Sequence, residues 1–551
     1  MVAAFYATIQ DFSTNGTTEY FSEREFFSDL SHINNGADVA LYSPAGGTTA
    51  SYSGNLLYLY YNDPSLFTIS LAVNGQVVSL SGNGLVNVDG SEGADGIFGN
   101  GAGNRISGGD GADDLNGRGG ADTLAGGAGD DRFWVDDPGD RVIEARDQGY
   151  DTVYASISYS LQGQHVERIE LTGPADINAT GNGLANTLVG NDGVNILSGG
   201  KGDDVYYIQT IGDRVLEGKG EGHDTVYSTI SYSLRGQYVE DLTLEGSGDI
   251  NATGNNLANV LTGNAGVNVL AGGEGDDTYY VQNASDVVLE NRGEGYDAVY
   301  STVSYSVQGQ HVEALFLTGE ADIDATGNAL DNFLGGNDGA NHLYGGAGND
   351  TLDGGFGAAD TLEGGAGDDH YDIRSVGDRV IEGKEGGYDI VFASVDFALT
   401  GQYIEELVLT DEAVRGVGNG LNNGITGTSL DNILDGWSGM DTLFGGGGAD
   451  TFVFSTKLGP TNVDTIWDFA TGVDKIQLNA SVFSGLTAGG LSEEAFHIGL
   501  AAHDADDRII YDSASGALFF DRDGSGDRYG QIQFATLNDH PGLNFSDFQV
   551  V

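Results

Sequence analysis

The sequence predicts an all-β fold. The expected form is a right-handed parallel β-roll, a β-solenoid rod, with a small β-rich N-terminal domain carrying one helix and a β-rich C-terminal cap. Three observations predict it. A glycine-rich nonapeptide, Gly-Gly-x-Gly-x-Asp-x-U-x with U a large apolar residue, recurs in strict register. A 73-residue period is laid over it. Between the nonapeptides, apolar strand-like runs return every nine or ten residues with turn residues between them. Self-similarity at a fixed period is the mark of a solenoid.

The clean copy of the unit runs from Gly126 to Trp134, and four more units start at Gly90, Gly99, Gly108 and Gly117. Their sixth positions are Asp95, Asn104, Asp113, Asp122 and Asp131; their eighth are Ile97, Ile106, Leu115, Leu124 and Phe133. Glycine serves a tight turn that needs positive φ and close backbone approach, and the last three residues form a short strand that buries U. One buried residue in nine is too little to offset an ordering entropy of about 1–2 kcal/mol per residue. The sixth-position aspartates supply the remainder. Stacked turns bring these carboxylates together, where they repel unless a hard cation joins them, and calcium suits a flexible all-oxygen site. The motif resembles the RTX (repeats-in-toxin) calcium-binding β-roll. The resemblance implies two nonapeptides per turn and several calcium ions held between successive turns.

The long period is visible in the equal spacing of Asp131, Asp204 and Asp277, and in Asp369, which follows after a longer interval. The interval is lengthened by one nonapeptide, Gly345–Asp353, and one with a single insertion, Gly354–Glu363, which add Asp350 and Asp360. Asp441 and Asp450 follow. Other sixth positions are asparagine (Asn186, Asn195, Asn259, Asn268), which keeps an oxygen but loses the charge; these rungs either bind calcium weakly or form a hydrogen-bonded asparagine ladder. The stretches between nonapeptide blocks, such as Ile208–Thr253, are expected to continue the solenoid with wider turns, separate β-lobes being the alternative. Within them Asp140 and Glu144, Asp213 and Glu217, Asp286 and Glu290, and Asp378 and Glu382 repeat in phase, as do Asp151, Asp224, Asp297 and Asp389. They read equally as cation ligands and as acidic turn caps.

Three regions follow: residues 1–85, 86–454 and 455–551. The first has strand-like runs, an Asn74-Gly75 hairpin signal, and a helix started by the Ser22/Glu25 capping box with Phe26, Phe27, Leu30 and Ile33 on its apolar face. Tyr58, Tyr60 and Tyr61 offer a binding or assembly surface, or simply pack. The last region contains Asp464-Thr-Ile-Trp-Asp468-Phe and Phe520-Asp521-Arg-Asp523-Gly. It resembles the domain that follows the β-roll in serralysin-type secreted proteins. The closing Phe545–Val551 resembles the apolar tail of type I secretion substrates. The resemblance implies export from a Gram-negative bacterium and folding outside the cell, where calcium is plentiful. The expected calcium ligands are therefore Asp95, Asp113, Asp122, Asp131, Asp204, Asp277, Asp350, Asp360, Asp369, Asp441, Asp450, Asp468, Asp521 and Asp523, with Asp527 beside the last pair.

Composition narrows the function. With 21 basic and 83 acidic residues the net charge is −62, which excludes nucleic acid as a partner and disfavours anionic membranes. No run approaches the 18 apolar residues of a spanning helix, there is no basic, apolar leader at the N-terminus, and the absence of cysteine rules out disulfides and thiolate metal sites. None of the nine histidines forms a zinc motif. His165-Val-Glu167 and His311-Val-Glu313 align with Tyr238 and Tyr403, so packing explains them. The reading is a non-enzyme: a secreted calcium-binding structural protein that folds with calcium and assembles as a homo-oligomer or polymer into a layer or filament. The alternatives are an adhesin contacting a cell-surface polysaccharide, for which the in-phase Tyr154, Tyr227, Tyr300 and Phe392 would be the feature, and, last, a polysaccharide-modifying enzyme.

Overall fold

The computed structural model describes residues 77–551 apart from residue 527, together with Gly75 and the backbone of six short upstream strands: Ala7–Thr8, Tyr20–Phe21, Val39–Tyr42, Thr48–Ser53, Leu56–Tyr61 and Phe67–Ser70. The helix expected at 22–33, the side chains of Tyr58, Tyr60 and Tyr61, and Asp527 lie outside the described residues. Among the described residues the chain is all β, with two short 3-10 turns, Glu493–Ala495 and Phe545–Asp547. The chain divides into two units, Met1–Glu274 and Gly275–Val551.

In the first unit the chain coils between two parallel sheets. The strands Val77–Ser81, Gly96–Phe98, Asp114–Asn116, Arg132–Val135, Thr152–Ala155, Arg168–Leu171, Thr187–Val189 and Val205–Ile208 pair in that order on one face. Their registers explain the long period. From Phe133 the inward residues step to Val153, then Ile169, Leu188 and Tyr206, so that four turns of unequal length make up each long repeat. The stretches between nonapeptide blocks therefore continue the solenoid with unequal turns, and β-lobes do not form. The eighth-position residues Ile97, Ile106, Leu115, Leu124 and Phe133 are all fully buried, as the nonapeptide pattern requires.

The opposite face is not one sheet. It breaks between Arg141–Ile143 and Tyr159–Ser160, and again between Arg214–Val215 and Tyr232–Ser233. At each break a tyrosine hydroxyl replaces the missing strand partner. Tyr159 accepts the Val142 N–H (3.2 Å) and Tyr232 the Val215 N–H (2.9 Å), so neither buried backbone donor is stranded.

At the start of this unit the chain departs from the expected hairpin. Phe67–Ser70 pairs in parallel with Val86–Asp89, and Val77–Ser81 with Leu56–Tyr61 and Gly96–Phe98. The strands flanking Asn74-Gly75 thus lie in different sheets. Gly75 does adopt positive φ (73°), but the strands before and after it are not partners of each other. Upstream, Tyr20–Phe21, Ala7–Thr8, Val39–Tyr42, Thr48–Ser53 and Leu56–Tyr61 form antiparallel pairs.

The second unit repeats the architecture. Inward residues step from Tyr279 to Val299, Leu315, Leu334, Leu352 and Tyr371. Tyr305 fills one break, accepting the Val288 N–H (3.1 Å) and donating to the Asp286 carbonyl (3.2 Å). Phe397 stands at the corresponding place before the next block, and there the Glu382 N–H goes to Gln402 Oε1 (2.9 Å). At the C-terminal end, Ile532–Leu537 pairs with Asp464–Ile466 and Phe548–Val550 with Lys475–Leu478, closing both faces. Phe548 and Val550 are buried.

Candidate metal centres

Each nonapeptide aspartate sits where one turn meets the next, just ahead of a buried strand, and its carboxylate reaches back one turn. Asp113 Oδ1 accepts the Asp95 N–H (2.7 Å), Asp122 Oδ1 that of Asn104 (2.6 Å) and Asp131 Oδ1 that of Asp113 (2.7 Å). Asp350, Asp360, Asp369, Asp441 and Asp450 do the same for Asn332, Asn341, Asp350, Asn423 and Asn432. The other oxygen is left bare: Oδ2 of Asp113, Asp122, Asp131, Asp204, Asp350, Asp360, Asp369 and Asp441 is buried without a hydrogen-bond partner. A buried carboxylate oxygen with no donor is costly.

Asparagine in the same slot closes differently. Asn195 Nδ2 donates to the Ile177 carbonyl (2.6 Å) and to Asn191 Oδ1 (2.8 Å), while its Oδ1 accepts the Asn191 N–H (2.8 Å). Asn186 Nδ2 likewise donates to the Val166 carbonyl (3.0 Å). The asparagine rungs form a hydrogen-bond network that is complete without a cation. Those eight aspartates with a bare Oδ2 have the oxygen and the charge but lack the donor, which is the arrangement a hard oxygen-seeking cation completes.

The in-phase acidic residues divide into two roles. Asp140 is a turn cap: Oδ1 accepts the Asp122 N–H (2.8 Å) and Oδ2 those of Asp136 and Asp137 (3.0 Å each). Asp213 and Asp378 cap in the same way. Glu144 and Asp151 instead converge on Asp131. One carboxylate oxygen from each of the three lies within 4.8 Å of the others, and the same holds for Asp204, Glu217 and Asp224, for Asp277, Glu290 and Asp297, and for Asp369, Glu382 and Asp389. Glu167, Glu240, Glu313 and Glu405 stand behind these groups and accept the N–H of Asp151, Asp224, Asp297 and Asp389. This gives the His-Val-Glu motif a structural role.

Burial and mutual repulsion raise these carboxyls together. Burial foremost, then the charges of Asp113, Glu144 and Asp151, pushes Asp131 up to about 8. Burial, with the Asp151 charge next, brings Glu144 to about 7, and burial brings Asp151 to about 6. Asp204 reaches about 8 and Asp224 about 7 for the same reasons. Burial, then Asp297 and Asp277, takes Glu290 to about 9.

The remaining predicted residues are placed variously. Ser91 donates to Asp95 Oδ2 from its N–H (2.8 Å) and its hydroxyl (2.7 Å). Asp468 accepts the N–H groups of Gly445 and Gly446 (2.9 and 2.7 Å), as Glu144 does from Gly126 and Gly127. Asp523 accepts from Arg528 and Tyr529 and, through its own N–H, donates to Asp521, so this pair shapes a loop. Neither Asp468 nor this pair joins a cluster of three converging ligands among the described residues. The in-phase aromatics face outward: Trp134 stacks on Tyr154 (5.2 Å), Tyr207 on Tyr227 (5.1 Å), and Tyr280, Tyr300 and Phe316 on one another (5.3 and 4.9 Å). Their ring faces are turned to each other, which leaves edges to solvent.

The family model for the RTX calcium-binding nonapeptide repeat matches residues 98–133, 180–207, 253–288, 326–359, 358–372 and 417–452. These repeats are RTX calcium-binding repeats, and the parallel solenoid they build is an RTX β-roll. It is accordingly a protein that binds several calcium ions. The chain is also 36% identical over 100 residues to the endo-1,3-1,4-β-glycanase ExsH of Rhizobium meliloti, a match covering 18% of this chain and 20% of that protein. The chain thus spans about a fifth of the curated relative it matches. No helix among the described residues is long and apolar enough to cross a membrane.

Proposed function

We propose that this is a secreted, non-catalytic structural protein whose roll folds when calcium binds and which then assembles with copies of itself into an extracellular layer or filament. The observation that carries the reading is the row of buried aspartate oxygens without donors, Asp113 and Asp122 in one unit, Asp350 and Asp360 in the other. Such a row stays folded only where a cation is abundant, so folding is deferred until the chain reaches a calcium-rich space, as export through a type I route would bring about. Assembly is supported by the antiparallel strands upstream of the roll, Ala7–Thr8 with Tyr20–Phe21 and Val39–Tyr42, since strands outside the coil are of the kind that pair with a neighbouring chain. A second reading, contact with a polysaccharide, is favoured by the partial similarity to a glycanase. It is disfavoured by the aromatic ladders, whose stacked faces are closed to sugar rings.

Far-UV circular dichroism and negative-stain microscopy on the same samples, with and without millimolar calcium, test the proposal. Calcium should produce β-structure and then ordered assemblies. Folded single particles up to high concentration would refute assembly, and a glycan array with clear hits would move the function to the second reading.

A further inference from the structure

We propose that the four carboxylate triads are calcium sites of a second kind. In each, two ligands come from outside the nonapeptide, and the bound ion ties down the loop between them. The inference rests on the calcium reading above and adds residues that the repeat motif does not contain: Glu144 with Asp151, Glu217 with Asp224, Glu290 with Asp297, and Glu382 with Asp389.

In the first triad each carboxylate is held by backbone at one oxygen and bare at the other. Asp131 Oδ1 takes the Asp113 N–H (2.7 Å), Glu144 Oε1 that of Gly126 (2.7 Å), and Asp151 Oδ1 that of Asp131 (2.9 Å). The three second oxygens are buried and have no partner, and the residues are 1%, 6% and 0% exposed. The triad of Asp204, Glu217 and Asp224 repeats this, with Asp204 Oδ2, Glu217 Oε2 and Asp224 Oδ2 bare. Three anionic oxygens fixed in position and aimed at one another form a preorganised oxygen cage for a hard divalent cation. Turn capping does not account for the cage, because the capping is done by Asp140 and its equivalents.

The three ligands come from three successive strands or returns of the coil, so an ion here bridges Asp131 to both ends of the loop 144–151. That loop belongs to the long turn between Phe133 and Val153. Each equivalent loop carries one exposed basic residue two places after its glutamate: Arg146, Lys219, Arg292 and Lys384. Each is a trypsin site placed where the ion would restrain the chain. The sites also differ in kind. Phe133 lies beside the first triad, whereas Tyr206, Tyr279 and Tyr371 donate their hydroxyls to Glu217, Glu290 and Glu382.

The test uses the full chain carrying Glu144→Gln, Glu217→Gln, Glu290→Gln and Glu382→Gln together. Calcium bound at saturation is counted by elemental analysis, and tryptic cuts are mapped by mass spectrometry. The expected result is a loss of four ions per chain, with cleavage after Arg146, Lys219, Arg292 and Lys384 at calcium levels that protect the unsubstituted protein. Should the fourfold variant not fold, E144Q alone is expected to lose one ion and open only the Arg146 bond. D360N, outside the triads, should leave all four bonds protected. An unchanged ion count and unchanged protection in a folded E144Q chain would overturn the proposal. A parent chain that binds no calcium would instead overturn the reading on which it rests.

Discussion

Removing calcium at neutral pH should unfold the roll, and lowering the pH should partly restore it. Three carboxylates whose oxygens lie within 4.8 Å of one another repel by about 3.5 kcal/mol per pair at an effective dielectric constant of about 20, or about 10 kcal/mol per fully ionised triad. A domain is stable by about 5–15 kcal/mol in all, so one ionised triad consumes most of that margin, and each unit contains two. Protonation is the alternative to unfolding. Asp131 and Asp204 titrate near 8 and Glu290 near 9 in the calcium-free fold, against about 4 in an unfolded chain. A folded-state pKa raised in this way gives a stability contribution that is fully present below about pH 4 and is lost as the pH climbs through 8 or 9. The calcium-free roll should therefore gain stability from pH 8 down towards pH 5. The calcium-bound roll should show the opposite trend, because protons compete with the ion. Urea midpoints followed by circular dichroism at pH 5, 6, 7 and 8, with chelator and with millimolar calcium, measure both slopes. A chelated protein equally stable at pH 5 and pH 8 would refute the electrostatic argument.

Two further substitutions probe the asparagine rungs and the sheet breaks. Asn195→Asp removes the donors to Ile177 and Asn191 and sets a carboxylate against their oxygens; at the lowest calcium that keeps the parent folded it should cost about 2–3 kcal/mol, with partial recovery at higher calcium, and a urea midpoint equal to the parent's would show that the rung is not closed by these bonds. Tyr232→Phe leaves the buried Val215 N–H without its acceptor and should lower stability by about 1–2 kcal/mol, read from the same denaturation curves, whereas Tyr238→Phe on the exposed surface should change little.

The nonapeptide period, the buried eighth residues and the run of sixth-position aspartates are all local, and the sequence by itself determined them. A residue such as Leu115 or Asp113 takes its place from its own turn and the like turns above and below. The long period was equally plain in the sequence. Its division into four unequal turns, from Phe133 through Val153, Ile169 and Leu188 to Tyr206, was not, because strand register is set by which residue meets the core. Asn74-Gly75 shows the same limit: Gly75 has the positive φ the signal calls for, but a turn signal does not name the strand's partner. The tertiary structure also separated Asp140 from Glu144, near neighbours alike in chemistry. Asp140 meets only backbone donors, Asp136 and Asp137 of its own turn and Asp122 one turn back, while Glu144 is carried to Asp131 and Asp151. The sheet breaks plugged by Tyr159 and Tyr232 had a sequence trace in the repeated tyrosine, but its meaning depended on Val142 and Val215, each one turn back along the coil. Local chemistry thus decided what each turn is made of. Only stacking decided which carboxylates share a space, because that distance is measured across turns and not along the chain.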